Sequence, residues 1–487
     1  MVIAFDNSYA RLPERFYART LPTAVRGPKL VKINEPLAAL LGLDAAELAS
    51  DAGVAVLSGN ALAEGADPIA LAYAGHQFGS FVRQLGDGRA ILLGEVVGKD
   101  GKRRDIQLKG SGPTPFSRRG DGRAALGPVL REYIVSEAMA AMGIPTTRAL
   151  AAVVTGEPVY RERPQPGAVL TRVAASHIRV GTFEYFAATG DKGAIATLTR
   201  HALERHYPQA LSAPNAALAL LEHVTVAQAS LVAQWLGVGF VHGVMNTDNT
   251  SISGETIDYG PCAFLDEYHP QKTFSSIDVG GRYAFMNQPL IAQWNLARLA
   301  EALLPLVSED EDEAARLATD RLTAFGARFN AAFRAVMRGK LGLQTEAPGD
   351  LELVMDLLSR LATSEVDYTL FFRRLCDVAT RPDAVASLFD DPGAFREWAE
   401  RWRKRLAAEG NTPEARAEAM RRANPAFIPR NHRIEEAIAA ATDKGDFAPF
   451  ETLVRVLARP FDDQPDAAHL AEPPAQGERV RQTFCGT

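Results

Sequence analysis

The chain has 487 residues, enough for two or three packed units, and its 47% hydrophobic and 23% charged residues are typical of a globular protein. A net charge of −6 argues against a nucleic-acid partner held by bulk charge, and the absence of any run of 18 apolar residues argues against a membrane span. The N-terminal residues lack the apolar stretch and the small-residue cleavage site of a signal peptide. Three cysteines, Cys262, Cys376 and Cys485, without zinc-type spacing, favour a reducing, cytoplasmic location.

The first part of the chain is predicted to contain most of the strands. Residues 1–75 mix short apolar runs with Pro and Gly, and we expect an N-terminal extension that packs on the main core. Residues 76–185 are predicted to form a strand-rich, nucleotide-binding lobe, in which two apolar runs joined by "GKDGK" indicate a β-hairpin. One helix follows, with apolar residues recurring every four positions from Leu130 to Met142, and Gly143 ends it.

The remainder of the chain is predicted to be mainly helical. Long Ala/Leu-rich runs between residues 186 and 465 predict a helical lobe that carries the catalytic loop and the metal site. The Pro-rich, polar residues 466–487 are expected to form a loosely held tail that contains Cys485. A strand-rich lobe with one prominent helix, followed by a larger helical lobe, is an α+β arrangement in two lobes.

The stretch "HGVMNTDNTSISGETIDYGP" carries the strongest functional signal. Small-molecule kinases have a loop of the form H-G-D-x-x-x-x-N, followed by an aspartate that holds magnesium on the phosphates. His242 and Asn249 keep that frame and Asp258 supplies the later aspartate, but Val244 occupies the place of the catalytic base. Asp248 is the only new acid in the loop. A loop of capping Asn and Asp residues is the alternative, although several spacings fit the kinase frame together.

A strand-end lysine and a helix glutamate would form the second part of such a site. Lys109 ends an apolar strand, where kinases place the lysine that holds phosphate and pairs with a helix glutamate. Glu132 and Glu137 both lie on the predicted helix but about 140° apart, so both cannot face Lys109. Helical phase favours Glu137, which lies nearer the apolar stripe. The non-functional alternative is a solvated lysine and two surface glutamates.

Two glycine-rich stretches are candidates for holding phosphate. In "QLGDGRA", Gly86 and Gly88 could allow close approach of the backbone, and Arg89 could reach a phosphate oxygen. This triplet is nevertheless more often a plain turn. The loop "GSGPTPFSRRGDGRAALG" follows Lys109 directly and includes Asp121 and Gly122 among several basic residues; it could equally be a surface loop.

Two further arginines complete the set of candidate phosphate ligands. Arg172 and Arg179 are seven residues apart and would share one face if the segment were helical, although a strand-to-helix transition could separate them. Either guanidinium could bind phosphate bidentately. Each taken alone is more simply a surface charge.

Taken together, these motifs resemble the selenoprotein O family. "QLGDGRAILLGE", "IQLKGSGPTPFSRRGDGRAALG", "SEAMAAMGIPTTRAL" and the His242–Pro261 stretch are long and contiguous, and the resemblance runs from about residue 5 to the C-terminus. It implies a protein-kinase-like fold and transfer of AMP from ATP to hydroxyl side chains of proteins. It also implies Mg²⁺ as the cofactor, with Mn²⁺ and transfer of UMP from UTP as the alternative known for bacterial members.

The resemblance also assigns roles to individual residues. It implies that Asp248 is the proton acceptor, and that Glu132, against the helical phase, is the partner of Lys109. It implies a metal held by Asn249 and Asp258. The nucleotide contacts that it implies are Gly86, Gly88, Arg89, Lys109, Asp121, Gly122, Arg172, Arg179 and Asp258.

The cysteines fit the family unevenly. Cys485 stands where eukaryotic members carry selenocysteine, whereas Cys262 occupies a position that is commonly aromatic in relatives.

The missing base does not exclude group transfer. Phosphoryl-type transfers pass through loose transition states that depend mainly on positioning and charge neutralisation. Arginines beside Lys109 could hold the β- and γ-phosphates inward, which would present the α-phosphorus and make pyrophosphate the leaving group. Two alternatives stay open: an ordinary kinase that moves the γ-phosphate, and a non-catalytic nucleotide-binding scaffold.

Overall fold

The computed structural model describes residues 3–378 and 384–484, so Cys485 lies outside the described residues. The strands form one large sheet and two small pairs. They are β1 (Tyr17–Arg19), β2 (Lys29–Ile33), β3 (Ile69–Leu71), β4 (Gly75–Gln77), β5 (Ser80–Val82), β6 (Ala90–Val97), β7 (Arg103–Lys109), β8 (Ala124–Ala125), β9 (Arg148–Tyr160), β10 (Pro164–Ala174), β11 (Phe240–Val241) and β12 (Ala263–Phe264).

The eight-stranded sheet forms the N-terminal lobe, in the order β1-β3-β6-β7-β10-β9-β2, with β8 paired to β10. β6 and β7 are the predicted hairpin, antiparallel with Ala90 opposite Lys109. β9 and β10 form a second antiparallel pair. Three of the eight strands, β1 to β3, come from the first 75 residues. The expected N-terminal extension is therefore in part a component of the sheet itself.

Helices dominate the rest of the chain, as predicted, and the α+β arrangement in two lobes is confirmed. The helices are α1 (Glu35–Leu41), α2 (Ala45–Ala49), α3 (Asp51–Ser58), α4 (Leu126–Ala141), α5 (Val180–Ala187), α6 (Lys192–His206), α7 (Ala216–Val238), α8 (Gln288–Val307), α9 (Glu311–Leu341), α10 (Asp350–Thr363), α11 (Tyr368–Leu375), α12 (Pro392–Leu406), α13 (Pro413–Ala423), α14 (Asn431–Lys444) and α15 (Ala448–Leu457).

The long helix α7 lies at the centre of the helical lobe, packed against α8 and α9. The Asn215 side chain caps its start by accepting a hydrogen bond from the Leu218 N–H, and the helix ends at Gly239, which has a φ of 75°. By length and composition alone, α7 is long and apolar enough to cross a membrane, although polar residues interrupt its apolar run. The protein itself buries 61% of its most apolar window, as in the core helix of a globular lobe.

Helix α4 is covered on both sides. One side packs on β9 and β10, and the other packs on α14 and α15 from the far end of the chain. Tyr133 of α4 meets the Phe450 ring edge to face, with centroids 5.5 Å apart. Residues of both lobes consequently join one hydrophobic cluster, which includes Leu130, Leu170, Leu220 and Leu453.

The C-terminal segment is held more firmly than the sequence predicted. The Thr483 side chain is buried, and its hydroxyl donates a hydrogen bond of 2.5 Å to the Pro261 carbonyl. Its backbone N–H donates to the Phe274 carbonyl (2.7 Å), and its own carbonyl accepts from the Ser276 N–H (3.0 Å). Thr483 is therefore not loosely held, whereas residues 471–482 are largely exposed. Composition could not show these long-range hydrogen bonds.

Candidate functional site

A cavity of about 460 Å³ lies between the sheet and the helical lobe. This volume is within the range of sites that bind small molecules and cofactors. Seven cationic side chains but only four carboxylates line it, so it suits a polyanion. Every residue to which the family resemblance assigns a role lines this cavity except Glu132, which lies behind Lys109.

A buried ion cluster forms the inner wall. The Lys109 ammonium donates to Glu132 Oε2 (2.5 Å) and to Asp258 Oδ1 (2.9 Å). Arg172 bridges the same two carboxylates, at 3.2 Å from Glu132 and 2.7 Å from Asp258. Arg179 reaches the other oxygen of Asp258 at 2.7 Å. Three cations therefore converge on the Asp258 carboxylate.

The cations keep Asp258 ionised. Burial raises the pKa of Asp258, but Lys109, Arg172 and Arg179 outweigh burial and hold this pKa well below its usual value. The Asp258 backbone has a φ of 65°, a left-handed conformation that is unfavourable for a residue with a Cβ. Such strain persists where the surrounding structure fixes it, and it is frequent at functional sites.

The structure pairs Glu132, and not Glu137, with Lys109, against the preference from helical phase. Glu137 faces away from the cavity and binds Arg148 instead, at 2.7 and 2.9 Å. The phase argument assumed one apolar stripe, but α4 is buried from Val129 to Ser136 without interruption. A helix covered on both sides has no single inner face from which a partner can be deduced.

Arg172 and Arg179 converge on the site without sharing a helix face. Arg172 lies in β10, and Arg179 precedes the first residue of α5. A shared helical face is therefore wrong, and the alternative of a strand-to-helix transition between the two residues is confirmed. Arg179 also donates to the Asp248 carbonyl (2.5 Å) and lies over the Tyr73 ring, 4.6 Å from its centroid.

The loop from His242 to Asn249 forms the opposite wall. His242 is buried and its Nε2 lies 2.9 Å from the Ile257 carbonyl oxygen, so it ties the loop to the residue before Asp258. Val244 lines the cavity. The Asn249 amide nitrogen donates to the Val244 carbonyl at 3.0 Å. Its amide oxygen is thus on the side away from that carbonyl.

Asp248 is a buried carboxylate with one free oxygen. Its Oδ2 accepts a hydrogen bond from the Gln77 amide at 3.2 Å, and its Oδ1 has no hydrogen-bond partner among the described residues. Burial raises the pKa of Asp248 to about 6, although Arg179 and Gln77 act in the opposite direction. The carboxylate is therefore a better proton acceptor than an exposed aspartate.

The glycine-rich stretches line the outer part of the cavity. Gly86 has a φ of 67°, and a Cβ there would come within 2.3 Å of the Phe116 ring, so only glycine fits. Gly88 and Arg89 follow at the start of β6. Asp121 accepts from Arg161 at 2.8 Å, and Gly122 packs against the backbone of Gly112.

Several residues of the site have no counterpart in the sequence predictions. The Gln107 amide oxygen accepts from Arg172 (2.7 and 3.2 Å), and its amide nitrogen donates to Asp87 (3.1 Å). Residues two apart in a strand point to the same face, so Gln107 could have been found from its spacing to Lys109. Arg161 and Gln77 gave no local signal, since they reach the site from distant hairpins.

Comparison with known proteins places the chain in a family. The model of the family described as "Protein adenylyltransferase SelO" matches residues 1–458. The chain is 62% identical over 485 residues to a protein of Bradyrhizobium sp. strain ORS 278, and 63% identical over 492 residues to one of Methylorubrum populi, with 99% of each chain covered. A Rhizobium etli protein is 62% identical over 488 residues, which cover 99% of this chain and 97% of the relative. All three relatives are named "Protein nucleotidyltransferase YdiU". The chain belongs to the SelO family of protein adenylyltransferases.

Proposed function

We propose that this protein transfers AMP from ATP to Ser, Thr or Tyr hydroxyls of other proteins and releases pyrophosphate. UTP is the alternative donor, with transfer of UMP. One observation carries the proposal: Lys109, Arg172 and Arg179 surround Asp258, while the base position of a kinase is Val244. The relatives' name, protein nucleotidyltransferase, supports the same reaction class.

The residues of the cavity fit a divalent metal ion. Asp258 is ionised and Asn249 supplies an amide oxygen, and oxygen ligands suit Mg²⁺ or Mn²⁺. Two protein ligands are few, as expected where phosphate oxygens and water complete the coordination. Such an ion would neutralise negative charge on the nucleotide phosphates.

The cationic side chains orient the nucleotide. Arg172 and Arg179 are buried and fixed by carboxylates, so they offer donors to phosphate without a large loss of side-chain entropy. With the β- and γ-phosphates held by these arginines and Lys109, the α-phosphorus faces the opposite wall. Asp248 on that wall lines the cavity, and its carboxylate accepts the proton of the attacking hydroxyl.

The alternatives predict different products. A kinase would transfer the γ-phosphate, and a scaffold would transfer nothing. The buried cluster of Lys109, Arg172 and Arg179 supports binding of a polyanion, which a nucleotide-binding scaffold would share, and the relatives' name, protein nucleotidyltransferase, favours transfer. A cytoplasmic location belongs to this proposal, and the buried free thiols of Cys262 and Cys376 are compatible with it.

Labelled nucleotides test the proposal directly. With ATP labelled at the α-phosphorus, the protein or an added acceptor protein should become labelled, and with γ-labelled ATP it should not. Intact mass should rise by one AMP for each modified residue. Asp258→Asn, which removes the charge but keeps the shape, should abolish labelling. Labelling from γ-labelled ATP alone would show that the protein is a kinase. No labelling from either nucleotide would favour the non-catalytic scaffold.

A further inference from the structure

An exposed apolar surface adjoins the mouth of the cavity. Four large apolar side chains are exposed there: Phe81 in β5 (43%), Ile277 (57%) and Val279 (95%) in the loop before α8, and Leu290 in α8 (66%). Ile277 also lines the cavity, so this surface is continuous with the nucleotide site. Contiguous exposed apolar groups beside a functional site are typical of surfaces that bind other proteins.

Two arginines stacked on one indole link the three segments. The guanidinium carbons of Arg282 and Arg298 lie 4.7 and 4.8 Å from the ring centroid of Trp294. Trp294 also meets the edge of the His76 ring, at 5.3 Å, and His76 in turn lies 4.9 Å from Phe81. The hairpin β4–β5, the loop 277–282 and the first turns of α8 thus form one surface, which we call the acceptor patch.

The patch contains an arginine without a carboxylate partner in the part of the chain that the structure describes. Among the described residues, Arg282 forms no salt bridge, and Arg298 pairs with Glu301, whose side chain is 56% exposed. Both arginines keep a buried Nε without a hydrogen-bond partner in the described chain. Asp278, the nearest acid in the loop, is engaged by the backbone N–H groups of Arg282 (2.9 Å) and Tyr283 (2.8 Å). The Arg282 guanidinium can therefore bind a carboxylate of a partner, with Arg298 beside it on the same indole.

The inner side of the same hairpin holds the proposed proton acceptor. Gln77 donates to Asp248 Oδ2, and the His76 N–H donates to the Thr247 hydroxyl at 2.7 Å. The Phe78 N–H reaches the Asn246 side-chain oxygen at 3.2 Å, and this oxygen also accepts from the Tyr283 hydroxyl at 2.6 Å. A polypeptide bound on the outer side lies one hairpin away from Asp248.

We propose that the acceptor patch binds the polypeptide segment to be modified, and that this segment carries acidic and apolar residues around its hydroxyl. The inference rests on the proposed function and adds a substrate class to it. Exposed apolar side chains beside the arginines favour a polypeptide over a nucleic acid. Carboxylates of the segment pair with Arg282 and Arg298, and its apolar residues cover Val279 and Leu290.

Peptide binding tests the patch independently of catalysis. Two dye-labelled peptides of equal length would be compared by fluorescence anisotropy, one with a central Tyr flanked by Glu and Leu, the other flanked by Lys and Leu. The full-length protein should bind the acidic peptide at least tenfold more tightly. The double variant Arg282→Glu/Arg298→Glu should lose that preference, and Val279→Ser/Leu290→Ser should weaken both peptides. The matched control is Arg422→Glu, because Arg422 is an exposed cation on α13.

Transfer from α-labelled ATP to the acidic peptide separates docking from chemistry. The patch variants should raise KM for the peptide at least tenfold and change kcat less than twofold, with ATP affinity unchanged. Equal binding of the two peptides, or a wild-type KM for the acidic peptide in the arginine variant, would contradict the proposal that the acceptor patch binds the segment to be modified. Normal acidic-peptide binding without any α-label overturns the proposed function and leaves the docking surface intact.

Discussion

Exchanging single carboxylates for amides on α4 separates the catalytic and structural parts of the site. Glu132 binds Lys109 and Arg172, whereas Glu137 binds Arg148 and accepts from the Asn34 amide at 2.6 Å. Both glutamates lie on the same helix, five residues apart, and Gln preserves the shape of each side chain. Glu132→Gln should reduce transfer, and Glu137→Gln should reduce stability.

The size of each effect follows from the partners that remain. Removing one partner of a buried ion pair costs about 3–5 kcal/mol. At Glu132 the Asp258 carboxylate still compensates Lys109 and Arg172, so we expect a loss of ~2–3 kcal/mol in transition-state stabilisation, or about 30- to 150-fold in kcat/KM. At Glu137 the pair is partly exposed, with the Arg148 side chain 29% accessible. The free energy of unfolding should fall by ~2 kcal/mol there, with little change in kcat/KM.

Initial rates with α-labelled ATP give kcat/KM, and urea unfolding curves of the same preparations give the free energy of unfolding. A double-mutant cycle with Lys109→Met should show that the Glu132 effect depends on Lys109 and the Glu137 effect does not. If Glu137→Gln were the change that abolishes transfer, or if both variants lost activity equally, the assignment of Glu132 as the lysine partner would be wrong.

Further predictions concern the metal, the loop and pH. Calorimetry should show that Mn²⁺ alone binds at least tenfold more weakly than Mn²⁺ with ATP, because the side chains of Lys109, Arg172 and Arg179 already neutralise the Asp258 carboxylate. Equal affinities of Mn²⁺ with and without ATP would contradict this prediction. Gly75→Ala places a Cβ 2.4 Å from Asp248 Oδ1 and should lower kcat at least tenfold at unchanged ATP affinity. A wild-type kcat would show that the loop with Asp248 can accommodate the added methyl group. Burial raises the pKa of Glu255 from 4.5 to about 7. The folded protein binds this proton more tightly than the unfolded chain does, so the free energy of unfolding should fall as the pH rises from 4.5 to about 7. Glu255→Gln should flatten the dependence in urea unfolding, and an unchanged slope would contradict the burial effect.

Contiguous motifs explain what the sequence could predict. The frame from His242 to Asp258 lies in one continuous segment between β11 and β12, so spacing alone placed Val244, Asp248 and Asn249 on one wall of the cavity. Their roles in binding and transfer stay predictions. The hairpin of β6 and β7 was predictable for the same reason, since its turn and both strands are local.

Contacts between distant segments explain what could not be predicted. The partner of Lys109 depends on the burial of α4, and part of that burial comes from α14 and α15, about 300 residues further along the chain. Gln77 reaches Asp248 across 171 positions, and Thr483 reaches Pro261 across 222. No periodicity or propensity within a window of the sequence contains such information.

The double-sided burial of α4 limits how the enzyme can be switched. In protein kinases, movement of the corresponding helix makes or breaks the Lys–Glu pair and thereby controls activity. Here Arg131 pairs with Glu435 of α14, and Lys32 of β2 pairs with Glu451 of α15. An outward swing of α4 would have to separate Arg131 from Glu435 and expose the apolar surface that α4 buries against α14 and α15. The contacts of the fold thus hold the Lys–Glu pair together, and we expect it to form without an activating phosphorylation.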